Sequence, residues 1–179
     1  MGRKRRELDD GCSFHVTMRT NNRLFYFEND ECKMMFIEIL KKVEKIYHCR
    51  IEVFLLMTNH VHLVIRPRKG KDLPGIMHRI AMTFAKRFNT RFNQTGHVWG
   101  SRYFSRILRS ILEVENVFRY IAKNPIRAQL VENTLDWIWS TISFYERNIN
   151  LFINNISEDV RAIYEKYSKI AYQFDNDPT

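Results

Sequence analysis

This sequence is short of the residues that staple, break or anchor a chain. Its cysteines are Cys12, Cys32 and Cys49, an odd set with no Cys-x-x-Cys pair. That argues against a disulfide framework or a zinc knuckle and fits a reducing cytoplasm. With 6 glycines and 4 prolines in 179 residues there is no long flexible linker. No internal repeat or low-complexity block appears either. No run reaches the roughly 18 apolar residues that a membrane span needs, and the N-terminal bases are not followed by the apolar core of a signal peptide. The expectation is a cytoplasmic protein with no membrane partner. Acidic residues are the scarcer charge: 20 Asp and Glu stand against 29 Lys and Arg, and the resulting +9 favours a polyanionic partner. The bases cluster at Arg3 to Arg6, Arg66 to Lys71, and Arg79 to Arg109.

What is present is enough chain for one domain with a sizeable core. Residues 1–11 read as a flexible basic arm, 12–150 as the main domain and 151–179 as a helical C-terminal extension. Cys12 to Arg19 alternates, with Phe14, Val16 and Met18 on one face of a strand. Asn29 or Asp30 caps a helix running to about His48. Arg50 to Met57 and His60 to Arg66 read as two strands of a hairpin around Thr58-Asn59. Asp72 starts a helix whose apolar stripe runs from Leu73 to Phe92, with His78, Arg79, Lys86, Arg87 and Arg91 on the other side. Arg102 to Leu108 reads as a fourth strand. Ser110-Ile111-Leu112-Glu113 has the capping-box pattern and opens a helix to about Lys123, where Pro125 ends or bends it. Trp137 and Trp139 read as packed, and a last amphipathic helix spans about Glu158 to Phe174. The order β-α-β-β-α-β followed by helices is an α+β, ferredoxin-like arrangement. Both crossover helices then cover one face of an antiparallel sheet, and the other face is free for a ligand or a further helix.

Chemistry concentrates in Asn59-His60-Val61-His62-Leu63-Val64-Ile65. Strand alternation puts His60, His62 and Val64 on one face, so two imidazoles converge where one metal ion could sit. The rival reading is a pair of packed histidines. The other four histidines (His15, His48, His78 and His97) read as non-ligands, His15 and His48 because they lie near element ends. Downstream, Tyr120 and Asn124 are one helical turn apart, among Arg119, Lys123 and Arg127, at the border of the apolar stripe Val114, Val117, Phe118 and Ile121.

These segments together resemble a known family. Leu56 to Val64 resembles the histidine-hydrophobe-histidine motif of the single-tyrosine HUH transposases. Tyr120-Ile121-Ala122-Lys123-Asn124-Pro125-Ile126-Arg127-Ala128 resembles their tyrosine motif. Gly96-His97-Val98-Trp99 with Arg102-Tyr103, Thr20-Asn21-Asn22-Arg23, and Trp139-Ser140-Thr141 are similar to further family segments. The nearest subgroup is the REP-associated tyrosine transposases, and the likeness covers about residues 12 to 146. Thr58 stands where many members have proline, Gly100-Ser101 replaces a commoner Gln-Gly, and Thr141 replaces a serine. These departures touch subgroup and substrate and remove no site residue.

The resemblance implies cleavage and rejoining of single-stranded, hairpin-forming DNA through a 5′-phosphotyrosine. It implies Tyr120 as nucleophile, and His60, His62 and Asn124 as ligands of a divalent metal. Imidazoles suit Zn or Ni, whereas amide and phosphate oxygens suit Mg or Mn; the mixed set argues for Mg²⁺ or Mn²⁺ in use. Phosphate-holding candidates are Arg66, Arg68, Lys69 and Lys71 beyond the histidine strand, Lys86, Arg87 and Arg91 on the basic helix face, and Arg102, Arg119 and Lys123. Trp99, Tyr103 and Phe104 are candidates for base stacking. A homodimer, with the tyrosine helix supplied by either chain, stays open. Two rival functions also stay open: a non-catalytic single-stranded nucleic-acid-binding module of ferredoxin-like fold, and a metal-dependent hydrolase that uses water.

Overall fold

The computed structural model describes residues 7–147, 149 and 156–168. Its backbone follows β1 (Ser13–Arg19), α1 (Asp30–Tyr47), β2 (Arg50–Leu56), β3 (His60–Arg66), α2 (Leu73–Arg91) and β4 (Phe104–Leu108). Helices α3 (Ile111–Ala122), α4 (Asn124–Arg127), α5 (Thr141–Glu146) and α6 (Glu158–Ser168) complete it. The sheet order is β2-β3-β1-β4 and each pairing is antiparallel. This is the expected ferredoxin-like topology.

The sheet is the middle of three layers, because both of its faces are apolar over part of their length. On one side Phe14, Val16, Ile51, Phe54, Leu63 and Ile65 pack against α1 and α2. On the other, Val53, Leu55, Val64 and Leu108 pack against α3 and α6. A β-bulge in β2 lets one strand serve both layers. The register against β3 shifts between Ile51 and Val53, so Ile51 and Phe54, three apart, share a face. An extra residue in one strand does this at the cost of a local kink. That residue, Glu52, is fully buried. It accepts hydrogen bonds from Ser13 Oγ (2.9 Å) and Ser157 Oγ (2.7 Å), and Arg66 Nε lies 3.4 Å away.

Local signals place the helix ends. Asn29 Oδ1 accepts from Glu31 N–H at the start of α1, and Ser110 Oγ accepts from Glu113 N–H at the start of α3, each contributing about 1 kcal/mol. The Glu113 carboxylate reaches back to the N–H of Arg109 (2.6 Å), one residue earlier than a capping box would take it. Asp72 makes no side-chain cap; a 3-10 turn, Gly70–Asp72, leads into α2 instead. The fourth strand begins at Phe104 rather than Arg102. Helix α6 is described to Ser168, and its expected continuation to Phe174 lies outside the described residues.

Residues 7–11 differ from the flexible arm expected of them. Asp10 Oδ1 accepts from Gly70 N–H at 2.7 Å. A Cβ on Gly70 would sit 2.2 Å from the Leu8 carbonyl oxygen, so this approach requires glycine. Glu7 and Asp9 both accept from Arg109. The basic run Arg3 to Arg6 lies outside the described residues.

The free edge of β2 is covered by the segment before α5. Leu56 N–H donates to Trp139 O (3.0 Å) and Trp137 Nε1 donates to Leu56 O (2.9 Å). Thr141 Oγ1 bonds both the N–H (2.5 Å) and the C=O (3.0 Å) of Phe54. An open strand edge is an aggregation hazard, and here two tryptophans and a threonine close it. Helix α6 then clamps α3: the rings of Phe118 and Tyr164 meet edge to face at 4.8 Å, and Lys166 pairs with Glu115 at 2.7 Å.

Candidate active site

Helix α3 covers only part of its side of the sheet. The pairing of β1 with β3 sets Thr17 opposite His62 and Arg19 opposite His60. The alternation that sends Phe14, Val16 and Met18 to the α1–α2 layer sends His15, Thr17 and Arg19 the other way. Asn116, Tyr120 and Asn124 fall on successive turns of one helical stripe. Between that stripe and the sheet residues lies a cleft of about 910 Å³. His60, His62, Tyr120 and Asn124 all line it, so the two distant motifs meet within one chain. The Tyr120 ring stands edge-on to His62 at 5.8 Å and to His15 at 6.1 Å. Tyr120 is 45% exposed, open to a substrate.

Hydrogen bonds fix which atoms face the cleft. His60 Nδ1 is 2.9 Å from Asn59 Oδ1, an acceptor, so Nδ1 carries the proton and Nε2 is left as a lone-pair donor. His62 Nδ1 is 3.1 Å from His15 Nε2 and 3.4 Å from Thr17 Oγ1. His62 Nε2 is buried and has no hydrogen-bond partner among the described residues. Asn124 Nδ2 donates to the Tyr120 carbonyl at 2.7 Å, which leaves its Oδ1 as acceptor. Two imidazole nitrogens and an amide oxygen are a donor set that suits a divalent cation, and the orphaned buried Nε2 is the observation that fits one.

Electrostatics keeps the imidazoles neutral, the form that ligates metal. Burial pushes His62 down to about 3, with His60, His15 and Arg19 adding to the effect. Burial, then Arg19, lowers His60 to about 4. Burial, then Arg106, lowers His15 to about 4.

Of the expected phosphate-holding residues, only Arg102 lines the cleft. Arg66 is turned to Ser13 and Glu52. Arg68, Lys69 and Lys71 are exposed in the loop after β3. Lys86, Arg87 and Arg91 belong to α2 in the opposite layer, and Arg87 and Arg91 are paired with Glu38 and Glu31 of α1. Arg119 lies on α3 and Lys123 caps its C-terminal end, and neither is among the lining residues. Trp99 is packed against Phe27, Phe36 and Phe84, its Nε1 donating to Ala81 O at 3.0 Å. Phe104 does line the cleft and is 61% exposed.

Several lining residues escaped the sequence reading. His15 is not at a strand end but in mid-strand, beside His62. Its signal was the polar alternation His15, Thr17, Arg19 within an otherwise apolar strand. Arg106 stands opposite His15 in the β1–β4 pairing, a register that local sequence does not contain. Arg127, which the sequence already placed near Tyr120, lies over its ring at 5.8 Å and is not among the residues lining the cleft.

Comparison with known proteins bears on the fold and the family. No curated protein matches the chain significantly. The solved structure of a REP-associated tyrosine transposase bound to a REP hairpin superposes with a TM-score of 0.73 at 20% identity, over 89% of this chain and 93% of that one. At that identity the likeness speaks for the fold. A provisionally named transposase of Deinococcus radiodurans R1 is more distant, at a TM-score of 0.48 and 16% identity over 68% of this chain and 95% of that one. The family model for IS200-like transposases matches residues 9–124, a span that holds the β1 to β4 sheet, both histidines, Tyr120 and Asn124. With more than half of its length matched, the chain belongs to the IS200-like transposase family.

Proposed function

We propose that this transposase-family protein is a metal-dependent endonuclease and strand transferase for single-stranded, hairpin-forming DNA, with Tyr120 as its nucleophile. The observation that carries the reading is the meeting of an exposed tyrosine with a buried, unpartnered imidazole nitrogen in an arginine-lined cleft. The hairpin-bound state of the REP-associated relative supports the choice of substrate.

His60 Nε2, His62 Nε2 and Asn124 Oδ1 would hold the divalent ion, Mg²⁺ or Mn²⁺. When bound, it withdraws charge from a non-bridging phosphate oxygen. The chain's own groups do the rest. Arg19 and Arg102, which make no ion pair among the described residues, draw the DNA backbone into the cleft. The Tyr120 oxygen attacks phosphorus and loses its proton to solvent. The bond from phosphorus to the 3′ oxygen breaks, and that oxygen takes up a proton as a free 3′-OH. The strand downstream is left joined to Tyr120 through its 5′ phosphate. A second 3′-OH reverses the step and rejoins DNA, because the phosphodiester energy is kept in the covalent link. Among the described residues no Asp or Glu lines the cleft, which favours tyrosine attack over a water activated by a carboxylate base.

The test is denaturing electrophoresis with hairpin oligonucleotides taken from the DNA around the coding region, labelled at either end. The 3′-labelled strand becomes attached to protein in Mn²⁺ or Mg²⁺; the 5′-labelled strand does not. Tyr120→Phe keeps the ring and abolishes the adduct while leaving stability within about 0.5 kcal/mol, as for an exposed surface change. An adduct that survives Tyr120→Phe, or one on the 5′-labelled strand, overturns the mechanism.

A further inference from the structure

We propose that His15 is a positioning residue for the metal site: its Nε2 accepts a hydrogen bond from His62 Nδ1–H and so fixes the tautomer and ring orientation that present His62 Nε2 to the cleft. The proposal rests on the reading of His62 as a ligand and assigns the group that makes it one.

The argument starts from the ring of His62. A neutral imidazole carries one proton on one of its two nitrogens, and the hydrogen bond at one nitrogen decides the state of the other. His62 Nδ1 is 3.1 Å from His15 Nε2. The two rings are nearly parallel, at 15°, with centroids 5.3 Å apart. If His15 donated in this bond, His62 would carry its proton on Nε2. That N–H would then be buried with no acceptor, since Nε2 has no partner among the described residues. If His62 donates, Nε2 bears a lone pair, and a cation in the cleft satisfies it. Only the second arrangement uses the buried nitrogen. His15 must then be protonated on Nδ1.

Geometry supports a dedicated role. His15 projects from mid-β1, a strand paired on both sides, next to β3 and β4. Its position is therefore set by backbone ladders and not by a mobile loop. Thr17 Oγ1, at 3.4 Å, is the longer of the two contacts to His62 Nδ1 and is a backup acceptor on a freely rotating hydroxyl. His60 has its own partner for the same purpose in Asn59. Each metal-facing imidazole is thus oriented through Nδ1 by a different neighbour, one a side-chain amide and one a second histidine. Partners of this kind typically change metal affinity by about 10- to 100-fold.

The experiment measures Mn²⁺ binding to the metal-free protein by isothermal titration, and the tautomer of His62 by long-range ¹H–¹⁵N NMR of histidine-labelled protein. The proteins are the native chain, His62→Ala, His15→Phe and His15→Gln. His15→Phe preserves a flat ring and removes the acceptor; His15→Gln restores an acceptor oxygen on a side chain of similar reach. The expected result is loss of measurable Mn²⁺ binding in His62→Ala, weakening by about 10- to 100-fold in His15→Phe, and recovery of most of it in His15→Gln. In the native metal-free chain His62 is protonated on Nδ1, and His15→Phe relaxes it to a mixture. If His62→Ala abolishes binding but His15→Phe binds like the native chain, His15 has no positioning role while the ligand reading stands. If the native chain does not bind Mn²⁺, or His62→Ala binds equally well, the ligand reading fails and takes the proposal with it. A His62 protonated on Nε2 in the native chain overturns the proposal whatever the affinities.

Discussion

Arg66 offers a test in which burial, not proximity to DNA, decides the outcome. It was expected to hold phosphate, yet its Nε lies 3.1 Å from Ser13 Oγ and 3.4 Å from Glu52 Oε1. The two partners are unequal: the Glu52 side chain is 0% exposed and the Arg66 side chain 26%. At 3.4 Å and an effective dielectric constant near 20, their gross attraction is ~5 kcal/mol, most of it offset by desolvation. The informative quantity is therefore the difference between removing either end. Arg66→Met keeps the stem and deletes the charge. It strands a wholly buried carboxylate with only the hydroxyls of Ser13 and Ser157, which costs about 3–5 kcal/mol. Glu52→Gln leaves a guanidinium that reaches water, and an amide that still accepts from one serine, at a cost of about 1–2 kcal/mol.

The assay is urea denaturation followed by circular dichroism, with the midpoints read at constant slope. In a chain of this size each kcal/mol lowers the melting temperature by about 2–4 °C, so Arg66→Met melts about 6–20 °C lower. Below its transition it retains the native salt dependence of DNA binding. The reasoning is refuted if Glu52→Gln destabilises more than Arg66→Met. It is equally refuted if Arg66→Met folds with native stability and instead weakens DNA binding.

Two further outcomes concern the cleft. Arg19→Ala and Arg102→Ala each reduce the slope of log K against log salt for a single-stranded oligonucleotide by about 0.7, whereas Lys86→Ala and Arg91→Ala on the opposite layer leave it unchanged; fluorescence anisotropy across salt concentrations distinguishes the two pairs. Phe104→Ala weakens the same binding by about 1–3 kcal/mol without altering the slope, since a stacked base is lost and no phosphate contact with it, and Phe104→Tyr retains native affinity.

What could be read in the sequence was what short periodicities encode. The alternation of β1, the hairpin around Thr58-Asn59, the α2 stripe and the Ser110 cap are all local, and each appears within a residue or two of its expected place. The pairing of His60 with His62 on one face is local too. The features that escaped are those set by partners far along the chain. The buried Glu52 of the bulge is met by Ser13 and Ser157, 39 and 105 residues away in sequence, and by Arg66 of the next strand. His15 and Arg106 join the site only because β1 lies between β3 and β4. The charged face of α2 looked like a phosphate surface because nothing in its own sequence reveals that α1 supplies Glu31 and Glu38 opposite it.

Placement of Tyr120 illustrates how ordinary core packing sets the chemistry. Along α3, Val114, Val117, Phe118 and Ile121 are buried against β2, β3 and α6, while Tyr120 stays 45% exposed. A helix turns by about 100° per residue. The rotation that buries Ile121 therefore dictates that Tyr120 and Asn116 look along the sheet toward the histidines, not away from it. A slip of one residue that put Tyr120 in the buried place of Ile121 would carry Arg119 into the cleft in its stead. The stripe is wide and aromatic on one flank, with Phe118 held between Tyr164 and Tyr167, so the helix has one azimuth and not several. Helix α3 ends at Ala122, Lys123 links it to α4, and Asn124 begins that new turn ahead of Pro125 while its amide stays tied to the Tyr120 carbonyl. The nucleophile candidate and the third ligand candidate are thus locked to each other through one hydrogen bond, and to the histidines through the apolar contacts of α3. All of these contacts are made within one chain.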